Sequence, residues 1–260
     1  MVNRITRPLV RSASSVTRLK STLKKIPGLT SLVRLCRLIV QPGHRSEWLL
    51  TREKPDNLFQ PYSCTKHNRW PQIFAFIRER LSDEPDTSIL SFGCSTGEEV
   101  FTLRRYLPHA KIVGIDINPR SIAVCLKKLK KNRDQNIQFK HAGSPKVEPD
   151  AFYDAVFCMS VLRHGELGAS NPQSCDHLIR FNDFENTVTN LCRCIKPGGY
   201  LVMIGSNFRF CDTSIASEFD VAFNLPVTKP SKDTPLYDSN NCRMTDDLCK
   251  EVVFRKKTAD

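Results

Sequence analysis

The sequence predicts an α/β protein built on a doubly wound, mostly parallel sheet, and three observations carry that prediction. From Ser88 onward, short apolar runs alternate with amphipathic segments, the order that lays strands side by side with helices on both faces. The run Ile89-Leu-Ser-Phe-Gly-Cys-Ser-Thr-Gly-Glu-Glu99 passes from a strand through a glycine-bracketed turn into a helix start. About twenty residues after the first glycine of that turn, a second apolar run, Val113-Gly-Ile-Asp116, ends on a carboxylate.

Each element has a local reason. From Trp48 to Gln60 the pattern is irregular and polar. Pro71 then suits the first turn of an amphipathic helix over Gln72–Leu81, closed by Ser82-Asp-Glu-Pro85. Strand one is Ser88–Phe92. Ser95 to Glu98 and Thr96 to Glu99 have capping-box spacing, which predicts a helix running to Tyr106. Strand two is Lys111–Asp116. Asn118-Pro119 starts a helix reaching Lys131, whose terminal Lys127-Lys-Leu-Lys-Lys131 sets cations at the negative end of the helix dipole. Strand three is Ile137–His141 and strand four Tyr153–Met159, apolar after Asp154 as in a strand covered on both faces. A polar, helix-poor stretch, Gly165–Asn182, precedes a helix over Phe184–Cys194. A Lys196-Pro-Gly-Gly199 turn then leads into strand five, Tyr200–Gly205.

The turn and the carboxylate together read as a nucleoside-binding crevice. A turn at the carboxyl end of a parallel strand approaches a ligand with its backbone only where side chains are absent, which gives Gly93 and Gly97 a physical role. Asp116, at the end of the neighbouring strand, can accept hydrogen bonds from both hydroxyls of a ribose. A phosphate loop would end in Gly-Lys-Ser/Thr, whereas Gly97 is followed by Glu98 and Glu99. Two acids at a helix start repel a pyrophosphate, so the mouth suits a nucleoside with a cationic amino-acid tail.

The sequence Gly93-Cys-Ser-Thr-Gly-Glu-Glu99 resembles the first motif of class I S-adenosylmethionine-dependent methyltransferases, and within them the chemotaxis-receptor branch. The resemblance covers roughly Ile89 to Asn207, includes Lys196-Pro-Gly-Gly199, and continues more weakly to Val252-Val-Phe-Arg-Lys256. It implies a seven-stranded Rossmann-like methyltransferase fold. The last two strands, assigned to Phe219–Leu225 and Glu251–Arg255, would form an antiparallel hairpin. It also implies a cofactor, S-adenosylmethionine, held by Gly93, Cys94, Ser95, Thr96, Gly97, Glu98, Asp116, Ile117, Ser144, Met159 and Ser160. Glu98 or Glu99 would face the cofactor's ammonium while the other caps the helix. Ser144 stands where the family usually approaches adenine, without the family's usual carboxylate. Cys158-Met-Ser-Val-Leu162 aligns with Cys-Arg-Asn-Val-Leu in the chemotaxis enzymes, and the change to Met159 and Ser160 speaks against a glutamyl-carboxylate acceptor. The chain between strand five and its end is too short for that branch's added β-subdomain. Elimination therefore leads to a small-molecule or lipid-like acceptor. Candidate bases at the mouth of strand four are His164 and His177, with His67 added if the N-terminal helix covers the site. A carboxylate acceptor would need no base.

Composition narrows the partners. The formal net charge is +12, yet residues before Glu47 hold ten Lys/Arg and no acid, leaving 29 basic against 27 acidic residues beyond. The chain thus divides into a basic, helical extension, residues 1–46, and a nearly neutral cofactor-binding domain, residues 47–260. That balance does not favour a nucleic-acid substrate. Nor does the residue order after strand four, where Met159-Ser-Val-Leu162 replaces the Asn/Asp-Pro-Pro-Tyr/Phe of base-amino methyltransferases. In the extension, Leu29, Leu32, Val33, Cys36 and Val40 share one helical face, with Pro27-Gly28 and Pro42-Gly43 as breaks. An anchor on an anionic membrane surface, a mitochondrial transit peptide, a lid on the domain and a disordered tail all fit that composition. Eleven cysteines, without C-x-x-C pairs, read as free thiols of a cytoplasmic protein, with no metal site; Cys192-Arg-Cys194 is too tight for ligand pairing.

Overall fold

A computed structural model describes residues 40–53, 55, 57–63, 65–227, 229, 231–245 and 248–258. Residues 49–260 form one compact unit and residues 1–48 another. Of the second, only residues 40–48 are described, so the shared helical face read for Leu29, Leu32, Val33 and Cys36 lies outside the described residues.

Helix α1 (Pro42–Glu53) takes up residues that the sequence reads as a break and an irregular stretch. Pro42 opens it rather than interrupting it, because a proline's missing N–H costs nothing in the first turn. Helix α2 (Pro71–Arg80) follows as expected and buries Ile73, Phe74 and Ile77.

The main sheet has seven strands in the order β3-β2-β1-β4-β5-β9-β6. Strands β1 (Ser88–Phe92), β2 (Lys111–Asp116), β3 (Ile137–His141), β4 (Tyr153–Met159) and β5 (Ile195–Ile204) run parallel. Strands β6 (Phe219–Asn224) and β9 (Glu251–Lys256) form the antiparallel edge. A separate pair, β7 (Leu236–Tyr237) and β8 (Arg243–Met244), lies outside this sheet. This is the predicted doubly wound architecture, and its strand order reverses between β1 and β4. Ligands bind at that switch point because the two loops diverge there and leave a crevice at the strand ends.

Strand alternation sorts the core into two layers. Leu90, Phe92, Val156, Cys158, Leu201 and Met203 point into one cluster, where they meet Phe184, Val188 and Leu191 of helix α6 (Phe181–Arg193). Ile89, Ile112, Ala155, Phe157 and Val202 point into the other, against α2 and against Val100 and Leu103 of helix α3 (Glu98–Tyr106). Both faces of β1 and nearly all of β4 are buried. Each large apolar side chain so buried contributes about 1.5–3 kcal/mol.

Four local expectations are corrected. The Lys196-Pro-Gly-Gly199 segment is a bulge inside β5, not a turn before it: Tyr153 pairs Ile195 and Ala155 pairs Tyr200. Lys196 is held there by both carboxylate oxygens of Asp154, each at 2.9 Å. Helix α6 begins at Phe181, because the Phe181 amide donates at 2.7 Å to Asn241 Oδ1, a cap that comes from far along the chain. A short helix, α5 (Gly165–Ser170), interrupts the stretch read as helix-poor; the His164 ring accepts from the Glu166 amide at its start. The cap of α3 is left-handed Gly97, with no side-chain capping bond, in place of the expected capping box. By contrast, helix α4 (Pro119–Asn132) starts as its sequence predicts, with Asn118 Oδ1 accepting from Arg120 N at 3.0 Å.

Candidate functional site

The crevice is shaped by backbone that turns left-handed three times in five residues. Gly93, Ser95 and Gly97 have φ of 71°, 48° and 91°. At Gly93 the need for glycine is double, since a Cβ there would come within 2.4 Å of the Val161 side chain. The amides of Gly93 and Cys94 both donate to Ile115 O, at 2.8 and 3.0 Å, which ties the turn to the end of β2.

Asp116 closes the same knot from the other side. It is buried, 9% exposed, and its Oδ2 accepts from Ser95 N at 2.7 Å while Oδ1 accepts from Asn118 N at 2.8 Å. Burial raises its carboxyl above the ordinary range, against the opposing pull of those two amides and of His141. Each oxygen keeps a lone pair for a further donor. Asp116 is thus both the turn residue and an acceptor presented to the crevice.

The two acids at the start of α3 part company. Thr96 Oγ1 donates to Glu98 Oε2 at 2.6 Å, and Lys128 of α4 holds Glu98 Oε1 at 2.5 Å. Burial pushes the Glu98 carboxyl up, but the Lys128 and Thr96 bonds outweigh it and hold the group below its ordinary value. Glu98 is occupied by this bridge and does not border the cavity. Glu99 does border it. Ser91 Oγ donates to Glu99 Oε1 at 2.8 Å, and removal from bulk water raises its carboxyl to about 7.

The cavity over the switch point, about 90 Å³, takes in Gly93, Cys94, Ser95, Asp116, Ile117, Met159 and Ser160 from the expected set. Thr96, Gly97 and Glu98 stand behind it as supports of the turn. Ser144 also lies off it: its Oγ accepts from Lys146 N at 3.3 Å, and Ala142 and Gly143 border the cavity in its place. Sequence reasoning missed the segment at residues 57–63, which forms one wall. Phe59 of that segment is buried, and Tyr62 Oη donates to Glu166 Oε1 at 3.0 Å. For Glu99 a signal was present, since it lies one turn before buried Leu103 and so on the inward face.

The three histidines do not gather at the cavity. His164 caps α5, and burial lowers its pKa. His177 is beside Asp176, at 3.9 Å, and His67 is exposed. None of them borders the cavity.

Cys94 lies in the turn, as expected, and its thiol is held well above its ordinary pKa by the hydrogen bond to Cys125 and by burial. No cation lowers that thiol's pKa, so it lacks the activation a nucleophilic cysteine has. The nine described cysteines are free thiols.

Two side chains fit the crevice to a bound group. Ser95 Oγ and Ser160 Oγ are buried, have no hydrogen-bond partner, and belong to residues that border the cavity. Buried hydroxyls are ordinarily satisfied. With Asp116 and Glu99 they offer hydroxyl and carboxylate partners suited to a polar, cation-bearing ligand.

Residues 83–242 match the protein family described as Methyltransferase domain. No curated protein sequence matches the chain. Among solved structures, similarity is found to phosphoethanolamine N-methyltransferase 2 of Haemonchus contortus, in complex with phosphomonomethylethanolamine and S-adenosylhomocysteine. There the identity is 17% and the TM-score 0.40, covering 55% of this chain and 29% of that one. The YcgJ protein of Bacillus subtilis is 13% identical, with TM-score 0.40, over 54% of this chain and 52% of that one. Geranyl diphosphate C-methyltransferase of Streptomyces coelicolor A3(2) is 13% identical, with TM-score 0.37, over 51% of this chain and 42% of that one. The chain thus spans under a third of the Haemonchus enzyme, and at this distance none of the three bears on the acceptor. The family match takes in more than half of the chain, from ahead of β1 to the end of β7, and so includes the whole switch-point turn: the chain belongs to the methyltransferase-domain family.

Proposed function

We propose that this chain transfers a methyl group from S-adenosylmethionine to a small-molecule or lipid-like acceptor. The observation that carries the reading is the knot in which Asp116 binds Ser95 N while Glu99 borders the same cavity. The cofactor supplies an activated methyl on a sulfonium, which leaves the protein the work of alignment and exclusion of water. Asp116 would accept from the ribose hydroxyls, Glu99 would meet the ammonium, and the unpartnered Ser95 hydroxyl would complete a bond to the same molecule. Ala142 and Gly143 would lie on the adenine side. Glu99 here takes the role that the sequence shares between Glu98 and Glu99. A carboxylate acceptor loses no proton on methylation, which fits a cavity wall without a histidine.

Isothermal calorimetry with S-adenosylmethionine and S-adenosylhomocysteine tests the reading, with micromolar-range heats expected for both. Absence of heat and of any thermal shift at millimolar ligand would sink it.

A second reading, a protein carboxyl methyltransferase of the chemotaxis type, is favoured by Gly93-Cys-Ser-Thr-Gly-Glu-Glu99 alone. Methyl-labelled cofactor incubated with cell extract separates the two. Label in the organic phase supports a small or lipid-like acceptor, and alkali-labile label on protein supports the second reading. Binding without transfer to either fraction would indicate a cofactor-binding protein that does not catalyse.

A further inference from the structure

The residues beyond Glu47 are nearly neutral in sum, yet their charge is segregated. From Ile117 to Arg133 the chain holds no acid, and the second half of α4 exposes Lys127, Lys130 and Lys131, with Arg133 exposed at its C-cap. Lys127, Lys130 and Lys131 stand at i, i+3 and i+4, so they share one face of the helix. Leu126, one turn before Lys130, is 48% exposed on the same side. A helix dipole rewards cations only in the last turn, and Lys127 stands before it. Like charges at these spacings disfavour the helix, so the face carries a cost in the free protein that an anionic partner removes.

The acids around α4 are accounted for. Glu98 of α3 is bridged by Lys128 at 2.5 Å, and Asp134, which follows α4, is bridged by Arg104 at 2.6 Å. Asp116 accepts from two amides in the crevice. Among the described residues none of Lys127, Lys130, Lys131 and Arg133 has an ion-pair partner. The acids outside the described residues belong to other parts of the chain. Asp56 precedes Asn57, which borders the crevice, as does Asn118 at the opposite end of α4. Asp246, Asp247 and Asp260 flank β9 in sequence, whereas α4 lies against β2 and β3, and β9 stands four places from β2 in the sheet.

We infer that the Lys127–Arg133 face of α4 docks on an anionic membrane surface, with Leu126 entering the headgroup region. A lipid surface suits this face better than a nucleic acid does. The exposed residues of α4 include no aromatic ring on which a base could stack. An apolar side chain set among lysines matches the boundary between headgroups and acyl chains. Four cations make a weak contact alone, as single membrane signals do, so binding also needs the basic residues 1–41. The inference does not depend on the cofactor reading.

The test measures partition of the full chain onto phosphatidylserine–phosphatidylcholine vesicles by flotation at low salt. Lys127→Gln, Lys130→Gln and Lys131→Gln together should lower the partition coefficient by roughly ten-fold or more. Arg133 is kept, because it is left-handed, with φ 53°. A control that removes the same charge at exposed Arg78, Lys232 and Lys250 should lower partition far less. Leu126→Gln should also weaken partition, and all three variants should keep the parent's thermal unfolding midpoint. Equal losses in the two triple variants would reduce the effect to net charge and overturn the docking face. Parent protein that stays off the vesicles overturns it too. Tighter binding to single-stranded RNA than to vesicles, lost only in the Lys127, Lys130 and Lys131 variant, would assign the face to nucleic acid instead.

Discussion

Asp116 and Glu99 are two kinds of carboxylate at one cavity, and the proposed function gives each its own part in binding one ligand. Asp116 is pinned by two amides and offers its remaining lone pairs, so Asp116→Ala removes hydrogen bonds to a charged group. The expected loss is about 1.5–3 kcal/mol in S-adenosylhomocysteine affinity, roughly 10- to 150-fold in Kd by calorimetry. Unchanged affinity would leave Asp116 with only its role in the turn. Glu99 makes a pH prediction. Its folded carboxyl is raised to about 7 from an ordinary 4.5, so the folded state holds the proton more tightly than the unfolded chain. That contribution to stability is fully present below pH 4.5 and is lost as the pH rises through 7. Glu99→Gln keeps an acceptor for Ser91 without the ionisation. It should unfold at higher urea than the parent at pH 8, by up to about 3 kcal/mol, with the difference gone near pH 4. The raised Asp116 carboxyl has the same sign but is common to both proteins, so the comparison isolates Glu99. Binding of a cationic ligand should tighten between pH 6 and 8 in the parent and stay flat in the variant, as titration at several pH values would show.

Among the elements, helix α6 shows how a boundary can depend on a distant residue. Its apolar spacing was legible, and Phe184, Val188 and Leu191 pack where that spacing puts them. Its start was not, because Arg180 makes no side-chain cap and Asn241 supplies the acceptor instead. Asn241 is itself left-handed, with φ 63°, a conformation that alanine adopts poorly. Asn241→Ala should therefore cost about 1–2 kcal/mol, read as a lower urea midpoint with an unchanged slope. Affinity for S-adenosylhomocysteine should hold, since Asn241 does not border the cofactor cavity. A loss of affinity larger than the loss of stability would show that α6 supports the crevice more directly. The same limit hid α5, whose cap is the His164 ring, and the bulge in β5, whose Lys196 is anchored by Asp154 across the strand pair.

For the whole molecule, charge is the property that needs a partner. Ten Lys/Arg and no acid precede Glu47, while the remainder is balanced to within two charges. No helix among the described residues is long and apolar enough to cross a membrane. A surface attachment of the first 41 residues is therefore a proposal from composition, and it has a direct test. Each Lys or Arg near an anionic leaflet is worth about 1 kcal/mol, and nine of the ten cations precede Pro42. Removing residues 1–41 should abolish flotation with phosphatidylserine vesicles at low salt and leave S-adenosylhomocysteine affinity nearly unchanged. Intact protein that ignores such vesicles at low salt would exclude the anchor. Loss of cofactor affinity on truncation would identify the segment as a lid.

The sequence by itself determined the sheet and the ligand class. Strands β1 to β4 were legible to the residue, because each is a short apolar run bounded by turn chemistry. Gly93 and Asp116 were legible because a close backbone approach and a strand-end carboxylate each restrict the residue type. Tertiary structure decided the rest. Glu98 and Glu99 are adjacent and chemically alike, and only the meeting of α3 with α4 at Lys128 assigns one to support and the other to the cavity. The segment at residues 57–63 has no periodic pattern, so nothing local tells that it walls the crevice. Ser160 is ordinary in sequence, and only the packing of β4 against β5 leaves its hydroxyl buried and unsatisfied beside the cavity. Local spacing governs which element a residue enters; which neighbour satisfies its side chain depends on contacts between residues far apart in the chain.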